Sequence, residues 1–319
     1  MQTRIIFIGT AEFGVPVLKA IIKNKENNIQ VITQPDRIGG RGNKILPPPV
    51  KKVAMLYNIE IMQPENINEP EIVKKIIDLK PDIILVVAYG QILSEKVLDI
   101  PKIGCINIHG SLLPAYRGAA PINWAIINGE KETGITYIYM KRKVDAGDMI
   151  AQFKIDILPD ESFGELSNRL SKLSAETVDH VLDSLKMCQL HRITQNKTEV
   201  SFTRKMTKKD GEVNWNNSSG KIYDSIRGTT PYPGAYTYYK ERKLKIIRAK
   251  LILEDESHVS TRDVPGTIVA VDKEGLYVAT GDCGRIRVEK LIPAGAKEMT
   301  AGQFINGNKI KIGDILTNK

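Results

Sequence analysis

Apolar residues in the first half of the chain fall into short unbroken runs separated by stretches at helical spacing. "RIIFIG" (4–9), "IQVIT" (29–33), "DIILVVAYG" (82–90) and "IGCINIHG" (103–110) read as buried strands. A strand covered on both faces needs no polar alternation. "VPVLKAIIKN" (15–24), "NEPEIVKKIIDLK" (68–80) and "APINWAIINGE" (120–130) read as helices, with Pro16 suited to a first turn. "TGITYIYM" (133–140) alternates as a strand, and an amphipathic helix is expected over about 162–188. Strands alternating with helices predict an α/β domain: a mostly parallel, Rossmann-like sheet with helices on both faces. Such sheets bind ligands beyond the C-terminal ends of their strands.

Two segments break the pattern. "PDRIGGRGNKILPPP" (35–49) has no apolar period and combines Gly, Pro and basic residues. It reads as a mobile arm, and Arg37, Arg41 and Lys44 would let it touch an anionic partner. From about 190 to 206 no period persists, and the segment reads as a basic linker. After it, "GEVNW", "GAYTYY", "RKLKIIRA", "PGTIVAVD", "GLYVAT" and "GRIRVEKLI" are short strands broken by turns, with one short helix at 219–228. They predict a small β-barrel. The expected organisation is a first domain over 1–189, a linker over 190–206 and a second domain over 207–319.

Charge adds to this picture. The net charge is +9. Residues 1–189 hold 23 Lys+Arg and 22 Asp+Glu, a net of +1, whereas residues 190–319 hold 23 and 15, a net of +8. A small basic barrel favours a nucleic-acid partner. Length fits two domains at roughly 150 residues each. Apolar content of 42% and charged content of 26% are ordinary for a soluble protein. Cys105, Cys188 and Cys283 form no CxxC pair, which argues against a disulfide framework or a zinc site and fits a reducing, cytoplasmic location. No signal peptide and no apolar run long enough to span a membrane is expected.

Most catalytic motifs fail. "GTAEFGVP" (9–16) lacks the Lys and Ser/Thr of a phosphate loop, and "GGRGNK" (39–44) is no dinucleotide fingerprint. Histidines at 109, 180, 191 and 258 form no ligand cluster, so no metal site is expected. What remains is "CINIHGSLLPAYRGAAPINW" (105–124). Asn107 and His109 share a strand face by the two-residue period, near the end where a site belongs. An Asn amide and a His could bind a carbonyl oxygen and follow its charge through a tetrahedral intermediate. Asp145 and Asp148, in "KVDAGDM" (143–149), offer a third group. The residues alone leave open a hydrogen-bonded core pair and a carboxylate-rich turn.

The same stretch resembles the signature of enzymes that use 10-formyltetrahydrofolate as formyl donor: an Asn-x-His strand, then Ser-Leu-Leu-Pro and a Gly. The likeness runs through "IIFIGTAEFGVPVLKAI", the arm, "VVAYG" (86–90), "DAGDM" and, near the end, "EVNWNNSSGKIYDSIRGTTPYPGAYT" and "GDIL". The full set resembles the methionyl-tRNA formyltransferase family. That resemblance implies transfer of a formyl group to the α-amino group of methionyl-initiator tRNA, without a metal. It implies Asn107, His109 and Asp145 as catalytic residues. Ser111, Leu112, Leu113 and Pro114, with Val87, Ala88, Tyr89 and Gly90, would border the folate. Arg37, Arg41 and Lys44 would meet the tRNA, and the second domain would be an OB-like barrel holding it further along. A monomer is expected. One stretch departs from the family pattern: Met140-Lys141-Arg142-Lys143-Val144-Asp145 replaces Met-Asp-x-Gly-Leu-Asp. A formyltransferase for a small amine would share the catalytic trio but has no need of the basic arm or the +8 half. A non-catalytic RNA-binding protein would have no need of the trio.

Overall fold

Ile, Val and Phe dominate the first strands because both faces of their sheet are covered. β1 (Thr3–Gly9), β2 (Asn27–Ile32), β5 (Ile61–Met62), β6 (Ile83–Val87), β7 (Gly104–His109), β9 (Glu132–Tyr139) and β10 (Met149–Asp156) form one sheet in the order β10-β9-β7-β6-β1-β2-β5. The computed structural model describes residues 2–39, 44–252, 263–308 and 310–318. β1 pairs in parallel with β2 and β6, β2 with β5, and β6 with β7, while β7 runs antiparallel to β9. The chain leaves β1 toward β2 and returns on its other side at β6. The topological switch point, where such sheets place their ligands, therefore lies between β1 and β6.

The helices start where the sequence supplies prolines. α1 (Val15–Lys23), α2 (Pro49–Leu56), α3 (Pro70–Asp78) and α5 (Pro121–Ile127) each carry Pro in the first turn, where its missing N–H costs nothing. α3 and α4 (Glu95–Leu98) cover one sheet face: Ile72, Val73, Ile76 and Val97 pack with Ile6, Ile8, Ile84, Val86, Tyr89 and Cys105. α6 (Phe163–Lys186) is the long amphipathic helix expected over 162–188. The arm carries a short antiparallel hairpin of β3 (Arg37–Gly39) and β4 (Lys44–Leu46).

The chain divides into two compact units, and they are not two consecutive stretches. The first contains Met1–Gly118, Thr133–Ile155 and Ser167–Thr203; the second contains Ala119–Glu132, Asp156–Leu166 and Arg204–Lys319. α5 thus packs within the second unit. It meets α7 (Ser219–Thr229), where the buried Asn123 amide donates to the Gly228 carbonyl at 2.8 Å. The segment after α6 is bonded into the first unit. Its β11 (Phe202–Thr203) pairs in parallel with β8 (Arg117–Gly118), and Met149 and Ile193 form a bridge.

In the second unit β12 (Ala235–Tyr239), β13 (Arg242–Ile252), β14 (Ile268–Val271), β15 (Leu276–Ala279), β16 (Arg285–Pro293) and β18 (Leu316–Thr317) form an antiparallel sheet ordered β14-β15-β16-β13-β12-β18. β17 (Met299–Thr300) pairs with β16. The sheet curls until its end strands meet: the Leu316 N–H donates to Gly266 O and the Ile268 N–H to Asp314 O, both at 2.8 Å. Gly266 is required there, because a Cβ would lie 2.3 Å from Leu316 O. Ile222 and Ile226 of α7 and Phe304 of α8 (Ala301–Asn308) fill the curl against Leu244, Ile246, Val278 and Val288. No helix among the described residues is long and apolar enough to cross a membrane.

Candidate active site

β7 carries the centre. Cys105, Asn107 and His109 occupy successive positions of one strand face. Cys105 is sealed in the apolar cluster under α3 and α4, and burial pushes its thiol up to about 12, so it offers no thiolate at neutral pH. Asn107 is half-buried, and within the described residues its amide makes no hydrogen bond. His109 is buried, with both ring nitrogens facing protein groups. Nε2 lies 2.9 Å from the Tyr116 carbonyl. A carbonyl only accepts, so Nε2 carries the proton of that bond. Nδ1 lies 3.6 Å from Asp145 Oδ2, too long for a hydrogen bond and short enough for an ion pair once Nδ1 is protonated.

The loop after β9 aims Asp145 at this histidine. Asp145 sits in the left-handed region at φ 50°. Three hydrogen bonds hold it and its neighbour: Gly118 N–H donates to Asp145 Oδ2 at 2.9 Å, and the Gln195 amide donates to the Asp145 and Gly147 carbonyls at 2.8 and 2.7 Å. Gly147 is needed for closeness rather than for an unusual φ, since a Cβ there would stand 1.5 Å from the Tyr139 carbonyl oxygen. Asp148 turns elsewhere, to Lys141 Nζ at 2.9 Å. Of the two candidate carboxylates, only Asp145 reaches His109.

The Ser-Leu-Leu-Pro loop is stapled to β9 and β10. Thr136 Oγ1 donates to the Ser111 carbonyl at 2.6 Å and accepts from the Leu113 N–H at 3.1 Å; Gln152 donates to the Leu113 carbonyl at 2.6 Å. Ser111 Oγ donates to the Ala115 carbonyl at 2.7 Å. Ser111 and Leu113 are buried, whereas Leu112 and Pro114 are half-buried. At the end of β6 the alternation is sharper. Val87 and Tyr89 point into the core, while Ala88 (φ 48°) and Gly90 (φ 95°) are exposed. Thr10 Oγ1 fixes this crest by donating to the Tyr89 carbonyl at 2.9 Å.

Comparisons with known proteins identify the family. The formyl transferase family model matches residues 3–182, and the formyl transferase C-terminal domain model matches residues 205–309. A methionyl-tRNA formyltransferase of Acetivibrio thermocellus is 43% identical over 98% of this chain and 99% of its own length. One from Geobacter metallireducens is 44% identical over 97% of each. The chain belongs to the methionyl-tRNA formyltransferase family. A solved methionyl-tRNA formyltransferase from Clostridium thermocellum superposes with a TM-score of 0.55 at 19% identity, covering 78% of this chain and 93% of that one. An N-formyltransferase from Helicobacter canadensis, solved with folinic acid and dTDP-3-aminofucose, reaches 0.66 at 19% identity over 90% of this chain and 99% of its own. At these identities the superpositions establish the fold.

The described residues cover the arm only in part. Arg37 reaches Glu65 at 3.0 Å on the surface. Arg41 lies outside the described residues, and of Lys44 only the strand position is described. Among the described residues no cluster of three or more His, Cys, Asp or Glu could hold a metal ion. The structure also adds residues that sequence reasoning missed. Arg117, Gln195, Thr136 and Gln152 all bond to the loops around His109. Arg117 lay inside the quoted motif, but no spacing marks Gln195, whose partners are 48 to 78 residues away in the chain.

Proposed function

We propose that this chain transfers the formyl group of 10-formyltetrahydrofolate to the α-amino group of methionyl-initiator tRNA. The observation that carries the chemistry is the His109–Asp145 pair beside the unpartnered amide of Asn107. The acceptor is supported by the full-length likeness to methionyl-tRNA formyltransferases and by the +8 charge of residues 190–319.

The formyl donor is a substrate, and the crest at the switch point suits a flat ring. Ala88 and Gly90 present backbone with little side-chain bulk, and Leu112 and Pro114 offer partly open apolar surface. Asn107 donates to the formyl oxygen and keeps that bond as the oxygen becomes an oxyanion. Nε2 of His109 is occupied by the Tyr116 carbonyl, so the mobile proton belongs to Nδ1. His109, charged at Nδ1, places positive charge beside the oxyanion, and Asp145 balances it. The neutral amine adds to the formyl carbon to form that oxyanion, which collapses as the bond to the folate nitrogen breaks. Asp145 and His109 relay the amine's proton, which ends on that nitrogen. Arg37, Arg41 and Lys44 contact the acceptor end of the tRNA, and the chain acts as a cytoplasmic monomer.

The deciding assay incubates the folded protein with 10-formyltetrahydrofolate and either initiator or elongator methionyl-tRNA. Formylmethionyl-tRNA should appear, with initiator preferred. Formylation of an amino-sugar nucleotide or glycinamide ribonucleotide, with none on tRNA, would move the chain to small-amine transfer. His109→Ala should lower kcat by about 10²–10⁴ and leave tRNA affinity within about twofold. Equal losses in both would take His109 out of the chemistry.

A further inference from the structure

Arg117 is 6% exposed, yet among the described residues it meets no carboxylate. Its Nε and Nη2 both donate to Gln195 Oε1, at 2.9 and 2.8 Å. Burying a cation against a neutral amide is costly, so its position calls for a reason. Gln195 is 5% exposed and uses its whole amide. A guanidinium only donates and carbonyls only accept, so one orientation satisfies every partner. Oε1 faces Arg117, and Nε2 donates to the Asp145 and Gly147 carbonyls.

The residues flanking Arg117 hold the two reacting side chains. The Tyr116 carbonyl takes the Nε2 proton of His109, and the Gly118 N–H donates to Asp145 Oδ2. Tyr116 and Arg117 are themselves fixed, their N–H groups donating to Ser201 Oγ at 2.8 Å and the Ser201 carbonyl at 2.9 Å. The contacts close a ring: His109 to Tyr116, along the chain to Arg117, across to Gln195, on to Asp145, and back over the 3.6 Å gap to His109. Asp145 needs such support, because a non-glycine residue at φ 50° persists only where its surroundings impose it.

We propose that Gln195, oriented by Arg117, is a positioning residue that sets the separation of Asp145 from His109 for the transfer step. The proposal rests on the transfer reading above. Gln195 touches neither substrate. It acts by tying the backbone on both sides of Ala146 to the guanidinium whose chain neighbours bind His109 and Asp145.

Gln195→Glu tests this with the least damage. The carboxylate keeps a partner for Arg117 but has no proton for the two carbonyls. Kinetics of Gln195→Glu, Gln195→Ala, Asp145→Asn and the double variant Gln195→Glu/Asp145→Asn would be measured with both substrates, alongside hydrogen exchange of the Gly118 amide. The expected result is a 10- to 100-fold loss of kcat in Gln195→Glu, with both KM values within twofold. In the Asp145→Asn background the same change should cost nothing further. The Gly118 amide should exchange about tenfold faster in Gln195→Glu, as its carboxylate partner drifts. Unchanged kcat in a folded Gln195→Glu protein, losses that multiply in the double variant, or unchanged Gly118 exchange would each overturn the proposal. If Gln195→Ala fails to fold, Gln195→Glu decides. If the wild-type chain formylates no tRNA, the transfer reading fails by itself, and Gly118 exchange alone then decides whether Gln195 holds the loop.

Discussion

Asn107 differs from its strand neighbour His109 in having its polar group unspent. His109 is tied down at Nε2 and faces Asp145 at Nδ1, but the Asn107 amide makes no hydrogen bond within the described residues. Removing an unspent amide should cost catalysis and leave the fold alone. Asn107→Ala is expected to raise the barrier by about 2.7–4 kcal/mol, the loss of one oxyanion donor. Its unfolding free energy should stay within about 0.5 kcal/mol of the wild type. Single-turnover formylation beside a denaturant melt measures both, and a large stability loss with kcat intact would make Asn107 a core residue. At this scale the sequence was legible where a short period governed. Asn107 and His109 share a face because strands repeat every two residues. Asp145 against Asp148 was legible only through the family resemblance, because the choice depends on the approach of Gly147 to Tyr139 and on a surface lysine. Gln195 was not legible at all, because its role exists only once three distant segments meet.

Elements with a strong apolar period were placed to within about three residues, including the helix at 163–186 and the buried strands of the first sheet. Those held by partners remote in sequence were not. The β8–β11 pair carries no period of its own, and its register comes from across the fold, Phe202 lying opposite Arg117. The loop at 111–115 is the functional example. Its motif was readable, but its shape is imposed by Thr136, a fully buried residue of β9 whose hydroxyl serves Ser111, Leu113 and Gln152 together. Thr136→Val keeps the volume and deletes the hydroxyl, leaving the Ser111 carbonyl and Leu113 N–H without it. Stability should fall by about 1–3 kcal/mol. On the proposed function this loop borders the folate, so KM for 10-formyltetrahydrofolate should rise while KM for tRNA changes little. Thermal melts and substrate titrations of the variant check both, and an equal rise in the two KM values would separate the loop from the folate.

For the molecule as a whole, charge position decides how an RNA is held. Much of the positive charge on β13 and β16 is already neutralised: Arg248 and Arg287 pair with Glu289, and Lys290 with Glu298. A different group is crowded with its own kind. Lys243 lies over the Tyr236 ring at 3.3 Å, and its ammonium is held below the usual lysine range by burial first and then by repulsion from Lys245 and Lys208, which Glu212 partly offsets. Repulsion of that sort is relieved when a phosphate arrives. A tRNA backbone is therefore expected at this cluster rather than spread over the total of +8. Phosphate neutralisation releases counterions, so log K for tRNA should fall linearly with log salt concentration. Lys245→Ala should reduce that slope by about one contact's worth and weaken initiator and elongator tRNA alike. Arg41→Ala, in the arm, should instead weaken productive engagement more than equilibrium binding. Filter binding of the full chain across a salt series, run beside formylation rates, measures both. A slope unchanged in Lys245→Ala would mean that the crowded lysines are solvated surface and that the tRNA is gripped elsewhere.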